Sequence, residues 1–119
     1  MLRHQETLTR LAMNDERFVE RMLAPHAEPI GDFALAPKPR ALARLGALIA
    51  LDAAPASYQG SVDAALTAGA SVDEIVGVLV AVAPIVGGAT VVSAAPELAL
   101  AIGYDIDSAM ESLDPPGSA

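Results

Sequence analysis

The stretch ALTAGASVDEIVGVL, residues 65–79, decides how this chain is read. Gly69 follows an apolar stripe of helical spacing and stops it, because glycine alone enters the left-handed conformation freely at a helix end. Two residues later Ser71 and Glu74 stand three apart, the spacing of a capping box, so a new helix starts at Val72. A helix stop and a helix start thus fall within a few residues.

Working outward, the helix from Val72 runs through Val76, Leu79, Val80 and Val82 towards Pro84. It is apolar on every side, as expected of a helix buried inside an assembly. Gly87-Gly88 permits a turn. A further segment, Thr90 to Ile102, is expected to be interrupted by Pro96 and to end at Gly103, before a short helix and a frayed tail. Upstream, Tyr58, Val62, Ala65 and Leu66 form the buried stripe of the helix that Gly69 ends, and Asp52 to Pro55 separates it from the one before. That earlier helix starts near Pro37 to Pro39, with Ala41, Leu42, Leu45, Leu48 and Ile49 on one side and Lys38, Arg40 and Arg44 on the other. Pro25, Pro29, Gly31 and Pro37 mark Ala24 to Pro37 as a loop, and His4 to Leu23 reads as one amphipathic helix. No β alternation appears, so the fold class is all-α in a single domain over residues 1–119.

Composition supports packing by small side chains. The chain is 53% hydrophobic with two Phe, two Tyr and no Trp. Helices made largely of Ala, Val and Leu must approach closely. The apolar surplus is expected to be a subunit interface of a homo-oligomer. The net charge is −8, and all seven bases precede position 45, leaving nine acids and no base after it. An acidic chain with no basic stripe and no interleaved aromatics has no electrostatic basis for binding nucleic acid. Between Glu74 and Glu97 the absence of charge is long enough to span a bilayer. However, Pro84, Gly87-Gly88 and Pro96 divide it, its flanks are acidic and no anchoring residues adjoin it, so a buried helical hairpin is the expectation, with no membrane. The N-terminal MLRHQETLTR lacks the apolar core of a signal peptide, and cytoplasmic location is expected.

With the helices placed, Leu35 to Ile102 resembles the carboxymuconolactone decarboxylase family, which includes the alkylhydroperoxidase-like proteins. The likeness rests on LAPKPRAL (35–42), LGALIAL (45–51), ALTAGASVDEIVGVL (65–79) and AVAPIVGGATVVSAAPELALAIG (81–103) in this order and spacing. It implies a compact helical domain built on an antiparallel helical hairpin, with residues 35–103 as its core, assembling as trimers or hexamers. Peroxidases of that family carry a Glu, a Cys-x-x-Cys pair and a His. Counted back from Gly69, the likeness sets these at Ala41 or Leu42, at Ala54 and Ser57, and at Ser61. A peroxidatic thiol must ionise, attack peroxide and be recycled through a disulfide, which no serine does. With no cysteine in the chain, thiol peroxidase chemistry is excluded. The decarboxylase branch does not use the thiol pair, so decarboxylation of a small lactone acid stays open. So does a non-catalytic binding or scaffold role.

A decarboxylase needs an acid or base and a carboxylate clamp. Arg44, Tyr58 and Asp52 are the candidate catalytic residues, and Arg40, Gln59 and Ser61 the candidate substrate-binding residues, for a small organic acid. Against this, Arg40 and Arg44 also suit a solvated helix face, and Tyr58 a core position. His4 and His26 are far apart, without a His-x-x-x-His pattern or a Glu partner, so neither a metal nor another cofactor is expected. Gly87-Gly88-Ala89-Thr90 lacks the Lys-Ser or Lys-Thr of a phosphate loop.

Overall fold

A computed structural model describes residues 3–23 and 35–113. The chain divides into two units, Met1–Ala36 and Pro37–Ala119. The proline-rich connection with His26, and the end of the C-terminal tail, lie outside the described residues.

The first unit holds α1 (Arg3–Ala12) and α2 (Glu16–Leu23), where the sequence suggested a single helix. Asn14 ends α1 in the left-handed region at φ 55°. Its N–H donates to the Leu11 carbonyl at 3.0 Å, and that of Asp15 to the Arg10 carbonyl at 3.0 Å, the paired bonds of a Schellman end. The Asp15 carboxylate then accepts the Phe18 N–H at 3.3 Å and caps α2. Met13-Asn14-Asp15 is therefore a stop followed by a start, which an apolar periodicity continuing through both helices conceals. Arg10 pairs with Glu6 at 2.9 Å and lies 5.8 Å above the Phe18 ring.

The second unit holds α3 (Pro37–Ala50), α4 (Pro55–Thr67), α5 (Val72–Val86), α6 (Gly88–Ala101) and α7 (Ile106–Ser112). Helix α3 packs on α4 and α5, and α6 packs on the same two, so two antiparallel pairs enclose one core. Leu45, Ile49, Tyr58, Val62, Ala65, Ile75, Leu79 and Leu98 fill it. Helix α3 ends on Asp52 at φ 52°, and α4 on Gly69 at φ 96°, each with the same paired bonds as α1. The Ser71–Glu74 box forms in full, with Ser71 Oγ accepting at 3.0 Å and Glu74 Oε1 accepting at 2.9 Å. Glu74 also takes the Lys38 ammonium at 3.0 Å, which ties the start of α5 to the start of α3. The Ser71 backbone N–H, and after it Lys38, holds the Glu74 carboxyl below its ordinary range.

Two prolines do less than expected. Helix α5 continues past Pro84 to Val86, and α6 runs unbroken through Pro96. A proline removes one backbone bond, but Ala94, Leu98 and Ala99 are buried around Pro96, and that packing holds the helix. The α5–α6 turn is the single residue Gly87 at φ 88°, ψ 161°, a conformation essentially confined to glycine. Helix α5 is not enclosed on all sides in the single chain. Only Ile75 and Leu79 are buried, while Val72, Val76 and Val80 form an exposed stripe, and Val92 of α6 is 74% exposed. Among the described residues no single helix is long and apolar enough to cross a membrane.

Candidate functional site

Helix α4 has two unlike faces. Tyr58, Val62 and Ala65 point into the core. The positions between them, Ser57, Gly60, Ser61, Ala64 and Ala68, line a cleft against α3. None of these five has a side chain larger than a hydroxymethyl, so the wall they form cannot fill the space beside it. From α3 come Arg40, Ala41, Arg44 and Leu48, one helical face read at intervals of three and four. The antiparallel pairing sets Leu48 and Ser57 at the turn end and Arg40 towards Ala68. The cleft is open to solvent, with a volume of about 630 Å³.

Its electrostatics are one-sided. Of the three cations on α3, Lys38 is neutralised by Glu74. Arg40 and Arg44 have no carboxylate partner among the described residues, and both line the cleft. The Nε of Arg40 is buried and has no hydrogen-bond acceptor. Among the described residues no Asp, Glu, His or Tyr contributes to the lining.

The six candidate residues part company. Arg40, Arg44 and Ser61 meet in the cleft. Asp52 is exposed at the left-handed end of α3, where it closes a helix. Tyr58, 1% exposed, lies on the core face of α4 with its hydroxyl buried and unpartnered. Burial first, then the carboxylates of Asp52 and Glu97, push the Tyr58 phenol above its ordinary pKa. Gln59 turns towards α6, donating to Asp63 Oδ1 at 3.0 Å and to the Ala101 carbonyl at 3.3 Å. The sequence reading missed Gly60 and Ala64 as lining residues. The signal was present, because 57, 60, 61, 64 and 68 are a helical run of small residues. Among the described residues no three His, Asp or Glu side chains converge as metal ligands.

The sequence model of the carboxymuconolactone decarboxylase family matches residues 18–100. The chain belongs to that family. The match begins inside α2, earlier than the motifs indicate, and runs through most of α6. A search of curated proteins returned no match, and neither did a search of solved structures. Of the positions that the family resemblance assigns to peroxidase chemistry, Ala54 and Leu42 lie off the lining of the α3–α4 cleft, whereas Ser57, Ser61 and Ala41, the other alternative for the Glu, fall on it. The carboxymuconolactone decarboxylase scaffold here presents small residues at those positions, beside two arginines.

Proposed function

We propose that this carboxymuconolactone decarboxylase-family chain binds a small organic molecule in the α3–α4 cleft, as one subunit of a homo-oligomer and without thiol chemistry. The observation that carries the reading is that Ser57 and Ser61, a cysteine and the histidine position of the family's peroxidases, line an open cleft of about 630 Å³. Binding is favoured over turnover because, among the described residues, the lining holds cations and hydroxyls but no group that exchanges a proton near neutral pH. Tyr58 and Asp52, the candidate acid and base, do not reach it. Family membership favours a second reading, decarboxylation of a small lactone acid, in which the missing proton donor comes from a neighbouring subunit.

A thermal-shift panel of small organic molecules tests the first reading, since a ligand that binds only the folded state raises its stability. A ligand-induced rise with no release of carbon dioxide is expected. Carbon dioxide released from a lactone acid by the purified chain favours the second reading instead. The exposed valines of α5 and α6 support assembly. Light scattering at micromolar concentration should give a multiple of 12.1 kDa, as a trimer or hexamer, and a 12.1 kDa particle overturns that part of the proposal.

A further inference from the structure

We infer that the cleft takes an organic monoanion, a carboxylate head on a slender apolar body, with Arg40 holding the head. This rests on the cleft reading proposed above and adds the charge, head group and orientation of the ligand.

Three observations lead there. First, positive charge is scarce in this chain, which carries a net charge of −8, yet the two α3 arginines without a carboxylate partner share one cleft. Among the described residues no carboxylate lines the cleft to repel an anion. Second, the two arginines differ. Arg44 is exposed and keeps its hydration, so it attracts an anion without fixing it. Arg40 is half-buried with its Nε sealed from water, and a buried donor without an acceptor is costly until an acceptor arrives. One half-buried arginine fixes one head group, and its planar fork matches a carboxylate. Third, the rest of the lining is mostly apolar. Ala41, Leu48, Gly60 and Ala64 offer methyl and methylene contact to a slender body, and Ser57 and Ser61 offer hydroxyls.

A phosphate is a poorer fit than a carboxylate. Phosphate sites draw on the free N–H groups of a helix start. At the start of α3, Pro37 and Pro39 have no N–H, and Lys38 is bound to Glu74.

The test uses hexanoate, its neutral isostere hexanamide and inorganic phosphate, titrated calorimetrically into the full chain and three variants. A Cβ at Gly60 meets no atom within 4 Å, so Gly60→Leu fills the cleft without disturbing the core. Arg40→Met keeps the apolar stem of the clamp and removes its charge. Lys38→Met removes a cation outside the cleft. Hexanoate should bind at least about tenfold tighter than hexanamide, as expected of a charge-assisted hydrogen bond, and Arg40→Met should lose a similar factor. Lys38→Met should bind hexanoate as the unaltered chain does, and Gly60→Leu should not bind it. Equal binding of acid and amide, or unchanged binding in Arg40→Met, overturns the anion assignment while the cleft reading stands on the Gly60→Leu result. Hexanoate binding that survives Gly60→Leu, or an unaltered chain that binds neither acid nor amide, overturns both. Phosphate that displaces hexanoate at equal concentration overturns the choice of a carboxylate head.

Discussion

Where α3 meets α5, the missing side chain of Gly46 lets the helices touch; where α3 meets α4, the missing side chain of Gly60 faces an open cleft. A Cβ at Gly46 would sit 3.3 Å from Val82 Cγ1 and 3.5 Å from Val78 Cγ1, whereas one at Gly60 meets nothing within 4 Å. Both glycines lie inside helices, so backbone propensity treats them alike. What differs is the opposing wall. Facing Gly46 are the side chains of Val78 and Val82, and beside Gly60 is the open cleft that Arg40 and Arg44 also line. The same residue type thus closes a core on one side of α3 and opens a cleft on the other.

The largest effect expected is from Gly46→Val. Overpacking a tight helix contact costs about 1–3 kcal/mol, or roughly 4–8 °C of melting temperature per kcal/mol in a unit of this size. A thermal melt should show that loss, while Gly60→Val should melt with little change. Equal losses would break the comparison.

The other face of α4 offers the next test. The Tyr58 hydroxyl is buried without a partner, and such a group costs about 1–3 kcal/mol, so Tyr58→Phe should raise stability by about 1 kcal/mol in urea unfolding. The alkaline limb should change as well. The folded Tyr58 pKa is raised above the unfolded value of about 10, so the unfolded chain ionises first. Stability in the unaltered chain is full below about pH 10 and falls as pH rises towards the folded pKa, and Tyr58→Phe should lose that decline. A Tyr58→Phe chain less stable than the original would show that the hydroxyl has a partner.

Gly60→Ala sharpens the comparison with a smaller change of opposite sign. With open space at the Cβ, alanine should stabilise α4 by roughly 0.5–1 kcal/mol, measured by thermal melt. A loss of stability would mean that the cleft is closed in solution.

The smallest effect is expected from Glu74→Gln, because glutamine still completes a capping box and only the charge facing Lys38 is lost. Its sign with pH is set by the lowered Glu74 pKa. The charge contributes above the unfolded value, about 4.3, and its contribution disappears as pH falls through the lower folded value. The two proteins should therefore converge in acid and differ at neutral pH. A difference independent of pH would remove the Lys38 link as its cause.

Helix starts and stops were legible where one residue type carries the geometry. Gly69, Ser71 and Glu74 announced the α4–α5 junction, and Asp52 the end of α3. The break at Asn14 was missed because asparagine enters the left-handed conformation less often than glycine and the apolar stripe continues past it. Pro84 and Pro96 were over-read: Pro84 stands in the last turn of α5, which ends two residues later, and around Pro96 the burial of Ala94, Leu98 and Ala99 outweighs one lost bond. Half of the candidate site was legible too. Arg40 and Arg44 lie four apart and share a face wherever α3 goes, but Tyr58, Gln59 and Ser61 are near neighbours that point in three directions once α4 is packed.

By itself the sequence determined the all-helical class, the capped junctions and the absence of thiol chemistry, because these depend on residue identity and local spacing alone. Only the tertiary structure decided which glycine closes a contact and which opens a cleft. It also separated Tyr58 and Asp52 from Arg40, Arg44 and Ser61. Those outcomes depend on what stands opposite each side chain, and that is settled when helices distant along the chain pack together.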